Sequence, residues 1–140
     1  MWFLVVAHAV LLAAGCGGDE ESTSASSTTA TTTGCTPATT DLMTPLANKL
    51  TLADGRLTNG QIVKSAAHDD VYFVAAEIDS PTLAASGDIG IWATASPHGG
   101  EAIYSVNDLA KQYSDWRDAR VIDVLPSDVA ADEARACVFR

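Results

Sequence analysis

VYFVAAEI, residues 71–78, is an apolar run of eight closed at both ends by polar turn residues, His68-Asp69-Asp70 before it and Asp79-Ser80-Pro81 after it. A run of that length and composition, rich in β-branched and aromatic side chains, predicts a central strand buried on both faces. The neighbouring stretches supply its partners. QIVKSAA (Gln61–Ala67) alternates as a strand, with His68-Asp69-Asp70 as the hairpin turn between the two. DIGIWATA (Asp88–Ala95) sets Ile89, Ile91 and Ala93 on one face and Trp92 and Thr94 on the other; SPHGG then turns the chain into EAIYSV (Glu101–Val106). Together these four strands form an antiparallel meander.

Helical signals flank the meander. TPLANKLTL (Thr44–Leu52) places Thr44 as cap, Pro45 at the first helical position, and Leu46 and Leu50 on one face. The turn residues of ADGRLTNGQ, Asp54-Gly55 and Asn59-Gly60, predict a loop or small hairpin after it. In VNDLAKQYSDW (Val106–Trp116), Ser105 and Asp108 resemble a capping box. Val106, Leu109, Ala110, Tyr113 and Trp116 form a helical stripe that must cover a sheet face. RVIDVL (Arg120–Leu125) predicts one more strand, and SDVAADEARAC (Ser127–Cys137) an alanine-rich final helix capped by Ser127. The fold expected for residues 36–140 is α+β: an antiparallel sheet of four to five strands with helices packed on one face, a two-layer sandwich.

Upstream of Cys35 the composition changes. Met1–Ala14 is almost wholly apolar, too short for a spanning helix of about twenty residues and suited to the core of a signal peptide. Every charged side chain lies at Asp19 or beyond, so the mature chain would keep the full net charge of −10. From Gly17 to Gly34 there are ten Ser or Thr and three acids, and no side chain able to anchor a core, which predicts a disordered linker. As random coil such a linker spans roughly 23 Å. The expected organisation is a signal peptide over 1–15, a linker over 16–35 and a single globular domain over 36–140.

Leu12-Ala13-Ala14-Gly15-Cys16 resembles the lipobox of bacterial lipoproteins, with the leucine one place further upstream than usual. The resemblance implies that Cys16 is acylated with diacylglycerol and becomes the lipidated first residue. The acyl chains would then anchor the protein at roughly 0.8 kcal/mol per buried methylene. The Ser/Thr tether and the preference for Arg, Ala and Asp resemble actinobacterial lipoproteins. GIWATASPHGGEAIYSVNDLAKQYSDW (90–116) resembles small exported proteins of unknown function from the same group, which implies no activity.

Three cysteines, Cys16, Cys35 and Cys137, leave one over if two pair. If Cys16 carries lipid, a Cys35–Cys137 disulfide remains, permitted by an oxidising compartment and closing a loop worth about 4.7 kcal/mol in the chain-entropy model. A metal site and a reactive thiol are the alternatives. Neither cysteine has the short spacing to another ligand that zinc needs, nor the C-x-x-C of a redox pair.

Catalytic signals are faint. His68, beside Asp69 and Asp70, could be a base with an orienting carboxylate, but fits a polar hairpin tip more simply; His98 fits a turn. No G-x-S-x-G marks Ser65, Ser86, Ser96 or Ser114 as a nucleophile. The carboxylates are scattered rather than paired for glycoside chemistry. No calcium or phosphate loop is present, and neither a metal nor a cofactor is expected. Eight Lys and Arg against 18 Asp and Glu disfavour nucleic acid. Trp92, Tyr104 and Trp116 cluster around the second hairpin and its helix, and are the candidates for a ligand or partner surface as against core packing.

The sequence thus points to a non-enzymatic lipoprotein on the extracytoplasmic face of the cell membrane, its domain binding an envelope protein or a small-molecule ligand. Two alternatives remain: a small extracytoplasmic hydrolase or carbohydrate-active enzyme, and a passive surface protein.

Overall fold

The apolar run becomes β3 (Tyr72–Asp79), third in a six-stranded sheet whose spatial order follows the chain. The computed structural model describes residues 34–83, 87–100 and 102–140. The expected signal peptide, most of the expected linker, and Cys16 lie outside the described residues. β2 (Arg56–Lys64), β3, β4 (Asp88–Thr94) and β5 (Ile103–Ser105) form the antiparallel meander, with Ile62 opposite Val74, Val74 opposite Trp92, and Trp92 opposite Ser105. Two further strands close its edges. β1 (Thr36–Pro37) is antiparallel to β2, and β6 (Arg117–Asp118) is parallel to β5. At two residues each, they are too short to carry a readable alternation, so the expected four or five strands become six.

The class is α+β as expected, but the helices cover both faces of the sheet rather than one. Phe73 and Ala75 of β3 pack with Ala130, Ala131, Ala134 and Val138 of α3 (Val129–Val138). On the opposite face, Val74, Ala76 and Ile78 pack with Leu42 and Leu46 of α1 (Thr40–Asn48) and Ala110 of α2 (Asp108–Tyr113). Successive strand residues point to opposite faces, so a strand apolar throughout exposes hydrocarbon unless both sides are covered. The alanines of α3 keep that helix close to the sheet, since interaxial distance follows side-chain size.

Local chemistry moves several element boundaries. Thr39, not Thr44, caps α1: its Oγ1 accepts the Leu42 N–H at 3.4 Å, and Pro45 falls inside the helix. Pro45 has no N–H for the Asp41 carbonyl. Gly99, at φ +79, comes against that carbonyl so closely that a Cβ there would stand 2.8 Å from the oxygen. Asn59-Gly60 is not a turn. It is a bulge inside β2, where the register shifts between Thr58 and Gln61, Asn59 takes φ 52, and its Nδ2 donates to Glu77 Oε2.

The second helix begins later than expected. Asn107, rather than Ser105, caps α2 by accepting the Ala110 N–H at 3.0 Å. The same side chain extends the sheet past the end of β5, accepting from Ile91 N–H at 2.9 Å and donating to the Ile89 carbonyl at 2.7 Å. RVIDVL is not a strand. Asp118 Oδ1 accepts the Arg120 N–H at 2.9 Å and starts a 3-10 turn (Ala119–Ile122), which Asp123 ends at φ 58. Asp128 rather than Ser127 precedes α3, and its carboxylate makes no capping bond to the helix.

Candidate functional site

An antiparallel meander puts alternate turns at the same end of the sheet. The β2–β3 turn carrying His68 and the β4–β5 turn carrying His98 therefore share one end. The chain enters the described domain there, at Gly34, and the first half of α3 flanks the same end. Between these parts lie two adjoining cavities of about 450 and 350 Å³. Ala67, Val129 and Ala130 help to line the first; Gly34, Ile62, Tyr72 and Pro97 help to line the second. Lys64, Ala66 and Glu133 belong to both, so the two are lobes of one groove. Its walls are mostly hydrocarbon, with one ammonium and one carboxylate in the shared section. Lys64 Nζ also stands 5.8 Å from the centroid of the Tyr72 ring.

One hydrogen-bonded pair borders the first lobe. His68 Nε2 lies 3.1 Å from Asp128 Oδ2, and that oxygen also accepts the Leu125 N–H at 3.1 Å. The β2–β3 turn is thereby tied to the segment leading into α3. Ser65, buried, stiffens the turn from within: its Oγ accepts the backbone N–H of Ala67 at 3.2 Å and of His68 at 3.1 Å. An Asp–His pair could support nucleophilic catalysis if a hydroxyl or thiol faced the free ring nitrogen. Among the described residues no hydrogen bond joins the His68 ring to a serine, and the Ser65 oxygen is engaged by two amides. His98 sits exposed on the other turn, its N–H donating to Ser96 Oγ at 3.2 Å. No hydrogen bond among the described residues connects the two histidines.

The three aromatic candidates do not form one surface. Trp92 is 0% exposed, locked between the sheet and α1 and α2, with its Nε1 donating to Ser114 Oγ at 3.0 Å. Ser114 and Ser105 form a buried pair at 3.2 Å beneath it. Trp116 is half-buried against the same core, with Lys49 Nζ 5.7 Å from its ring centroid. Tyr104 packs on the opposite face, against the α3 core. Trp92 lies on the strand face that holds Gly90 and Thr94, which reads as the more polar one; α1 and α2 cover it, and the indole fills the space above Gly90. The groove residues Lys64, Tyr72, Val129 and Glu133 carry no local motif, and only the folded chain brings them together.

Cys35 and Cys137 are joined by a disulfide with Cα atoms 5.7 Å apart, closing a sequence separation of 102. The bond ties the residue after Gly34 to the last turn of α3. The strongest charge cluster lies elsewhere. Asp118 Oδ2 accepts from Arg120 Nη2 at 2.7 Å and Nε at 3.0 Å, with Lys111 Nζ at 3.3 Å. These hydrogen bonds, those of Arg120 foremost, hold the Asp118 carboxyl far below the usual carboxylate range and raise the Arg120 guanidinium. Among the described residues no group of three or more His, Cys, Asp or Glu is placed to hold a metal ion, and no helix is long and apolar enough to cross a membrane. No protein-family model, curated protein or solved structure matches the chain.

Proposed function

We propose that the protein is a cell-envelope lipoprotein, anchored through acylated Cys16 on the extracytoplasmic face of the membrane, whose α+β domain binds a partner or small ligand in the groove at the root of its linker. The observation that carries the proposal is the position of Gly34: the chain arriving from the lipobox enters the domain as part of the groove wall. A linker of the length between Cys16 and Gly34 holds the groove within roughly 23 Å of the lipid surface on average. The groove's hydrocarbon walls, with Lys64, Asp128 and Glu133 as its charged groups, suit recognition of a mostly apolar ligand oriented by a few polar contacts. The Ser65 oxygen, engaged by two backbone amides rather than by the His68 ring, favours binding over turnover.

The anchor is tested by membrane fractionation of the wild-type chain beside Cys16→Ser. The variant is expected in the soluble fraction, and its retention on membranes would overturn the anchor. Binding is tested with a photo-reactive residue replacing Ala66, which faces both lobes. Envelope ligands are expected to crosslink there, and Lys64→Glu to diminish the yield. Turnover of an envelope-hydrolase substrate, abolished by His68→Ala, would overturn the binding proposal in favour of a hydrolase.

A further inference from the structure

Val121, Ile122, Leu125 and Val129 are 56, 37, 45 and 74% exposed, four of the five large apolar side chains so exposed among the described residues. They fall within nine consecutive positions, around the corner where the 3-10 turn runs into α3. The backbone there is tightly folded. Asp123 N–H donates to the Arg120 carbonyl at 3.2 Å, Val124 N–H to the Ala119 carbonyl at 3.2 Å, and Asp128 N–H to the Leu125 carbonyl at 3.1 Å. Val124 points inward and is fully buried, so the exposure of its neighbours is imposed by a fixed backbone. Clustered exposed hydrocarbon on a small domain marks an interaction surface.

The charges around this corner define what it can meet. Asp123 and Asp132 stand exposed beside it, and Asp69 and Asp70 occupy the neighbouring turn, which His68 ties to Asp128. Of the cations near this corner, Arg120 is engaged with Asp118 at 2.7 Å and Arg135 with Asp132 at 3.9 Å, while Lys64, in the groove that Val129 also lines, stands 5.8 Å from the centroid of the Tyr72 ring. A second copy of this chain would bring the same acids against one another, and an anionic lipid surface would be repelled for the same reason. A polypeptide with apolar side chains ringed by Lys or Arg complements both features.

We propose that the corner formed by Val121, Ile122, Leu125 and Val129 is the docking surface for a partner protein that presents an apolar patch with a basic rim. Val129 belongs at once to this corner and to the groove wall, so the docked partner lies against the groove mouth. This deepens the binding role proposed above and rests on it.

The test uses the full, isotope-labelled chain in nanodiscs of zwitterionic lipid, titrated with a synthetic amphipathic peptide of leucine and lysine. A peptide with glutamate replacing lysine serves as the control. Amide shifts are expected over residues 121–125 and 127–129 with the lysine peptide and not with the glutamate peptide. Affinity is expected to fall as salt rises from about 50 to 300 mM, as contacts among rim charges are screened. Val121→Ser and Leu125→Ser change exposed side chains that lie outside the groove, leave the remaining spectrum unperturbed, and each weaken binding about tenfold. Absence of shifts, an equal response to both peptides, or shifts driven by protein concentration alone would overturn the proposal. Shifts confined to Lys64–Ala67 and Tyr72 would also overturn it while leaving the groove as a binding site. The lipid anchor stands or falls separately, on the fractionation of Cys16→Ser.

Discussion

Gly90→Ala adds one methyl group to the centre of β4, where an alanine normally improves a strand by roughly 0.5–1 kcal/mol. Here the outcome should be reversed. A Cβ at position 90 would overlap Trp92 Cη2 and stand 2.8 Å from Cζ2 and Cζ3, whereas carbon atoms pack at about 3.5–4.0 Å. The indole has nowhere to go: it is fully buried, and its Nε1 is held by Ser114. Overpacking costs about 1–3 kcal/mol. Pulling the indole from Ser114 leaves a buried donor unsatisfied, at about 1–3 kcal/mol. With the strand gain subtracted, the net loss is about 3 kcal/mol, which lowers the Tm of a domain this size by about 12 °C or more. Thermal and denaturant unfolding, followed by far-UV circular dichroism, measure it. A double-mutant cycle isolates the cause. Trp92→Leu alone opens a cavity, but with Gly90→Ala the new methyl occupies part of that space. The double variant should therefore be more stable than the sum of the single losses by about 2 kcal/mol. A neutral or stabilising Gly90→Ala, or losses that add to within about 0.5 kcal/mol, would refute the account of Trp92 as a wedge seated on Gly90.

Replacing both Cys35 and Cys137 with alanine should cost up to about 4.7 kcal/mol, a large part of a small domain's stability, read as a fall in the denaturant midpoint relative to the oxidised wild type. Asn107→Ala removes two acceptor bonds and one donor bond at once. A loss of about 3 kcal/mol or more is expected, with the Ile91 amide losing its protection in hydrogen exchange. Arg120→Ala should return the Asp118 carboxyl upward toward the ordinary carboxylate range in a carbon-detected NMR titration. Because the folded carboxyl lies below its unfolded value, its contribution to stability is complete above about pH 4 and is lost as pH falls through the folded value. Arg120→Ala should therefore flatten the acid limb of the stability profile while acting weakly at neutral pH, the pair being exposed to solvent.

The central strands were legible in the sequence because burial wrote itself into composition. Phe73–Ala76 and Ile91–Ala93 are apolar on consecutive positions, and the structure buries them on consecutive positions. The same fact already calls for helices on both faces, since a strand with no polar side needs two covers. What stayed hidden depends on geometry rather than pattern. Asn59-Gly60 has turn chemistry, but Asn tolerates φ 52 as well in a bulge as in a hairpin, and only the pairing with β3 distinguishes the two. RVIDVL alternates like a strand, yet Asp118 and Asp123 close it into a 3-10 turn through their own backbone neighbours. The cysteine pair was legible by counting, because the lipidation expected at Cys16 leaves one combination. The groove was not, because Lys64, Tyr72, Val129 and Glu133 come from three elements with no shared spacing.

On the proposed anchoring, the disulfide would have a mechanical consequence. β1 is held to the sheet over only two residues, Thr36 opposite Ile62 and Pro37 opposite Gln61, so tension arriving along the chain at Gly34 would unzip it one pair at a time. The Cys35–Cys137 bond intercepts that load before it reaches β1 and passes it to α3. That helix resists as a unit, because Ala130, Ala131, Ala134 and Val138 are packed together against β3. The same helix supplies Val129 and Glu133 to the groove and, through Asp128, holds the His68 turn in place. On the proposed anchoring through Cys16, the covalent link to the membrane therefore ends on the element that shapes the binding surface. Reduction should then do more than lower global stability: it should release Gly34 from α3 and open the second lobe of the groove before the core unfolds.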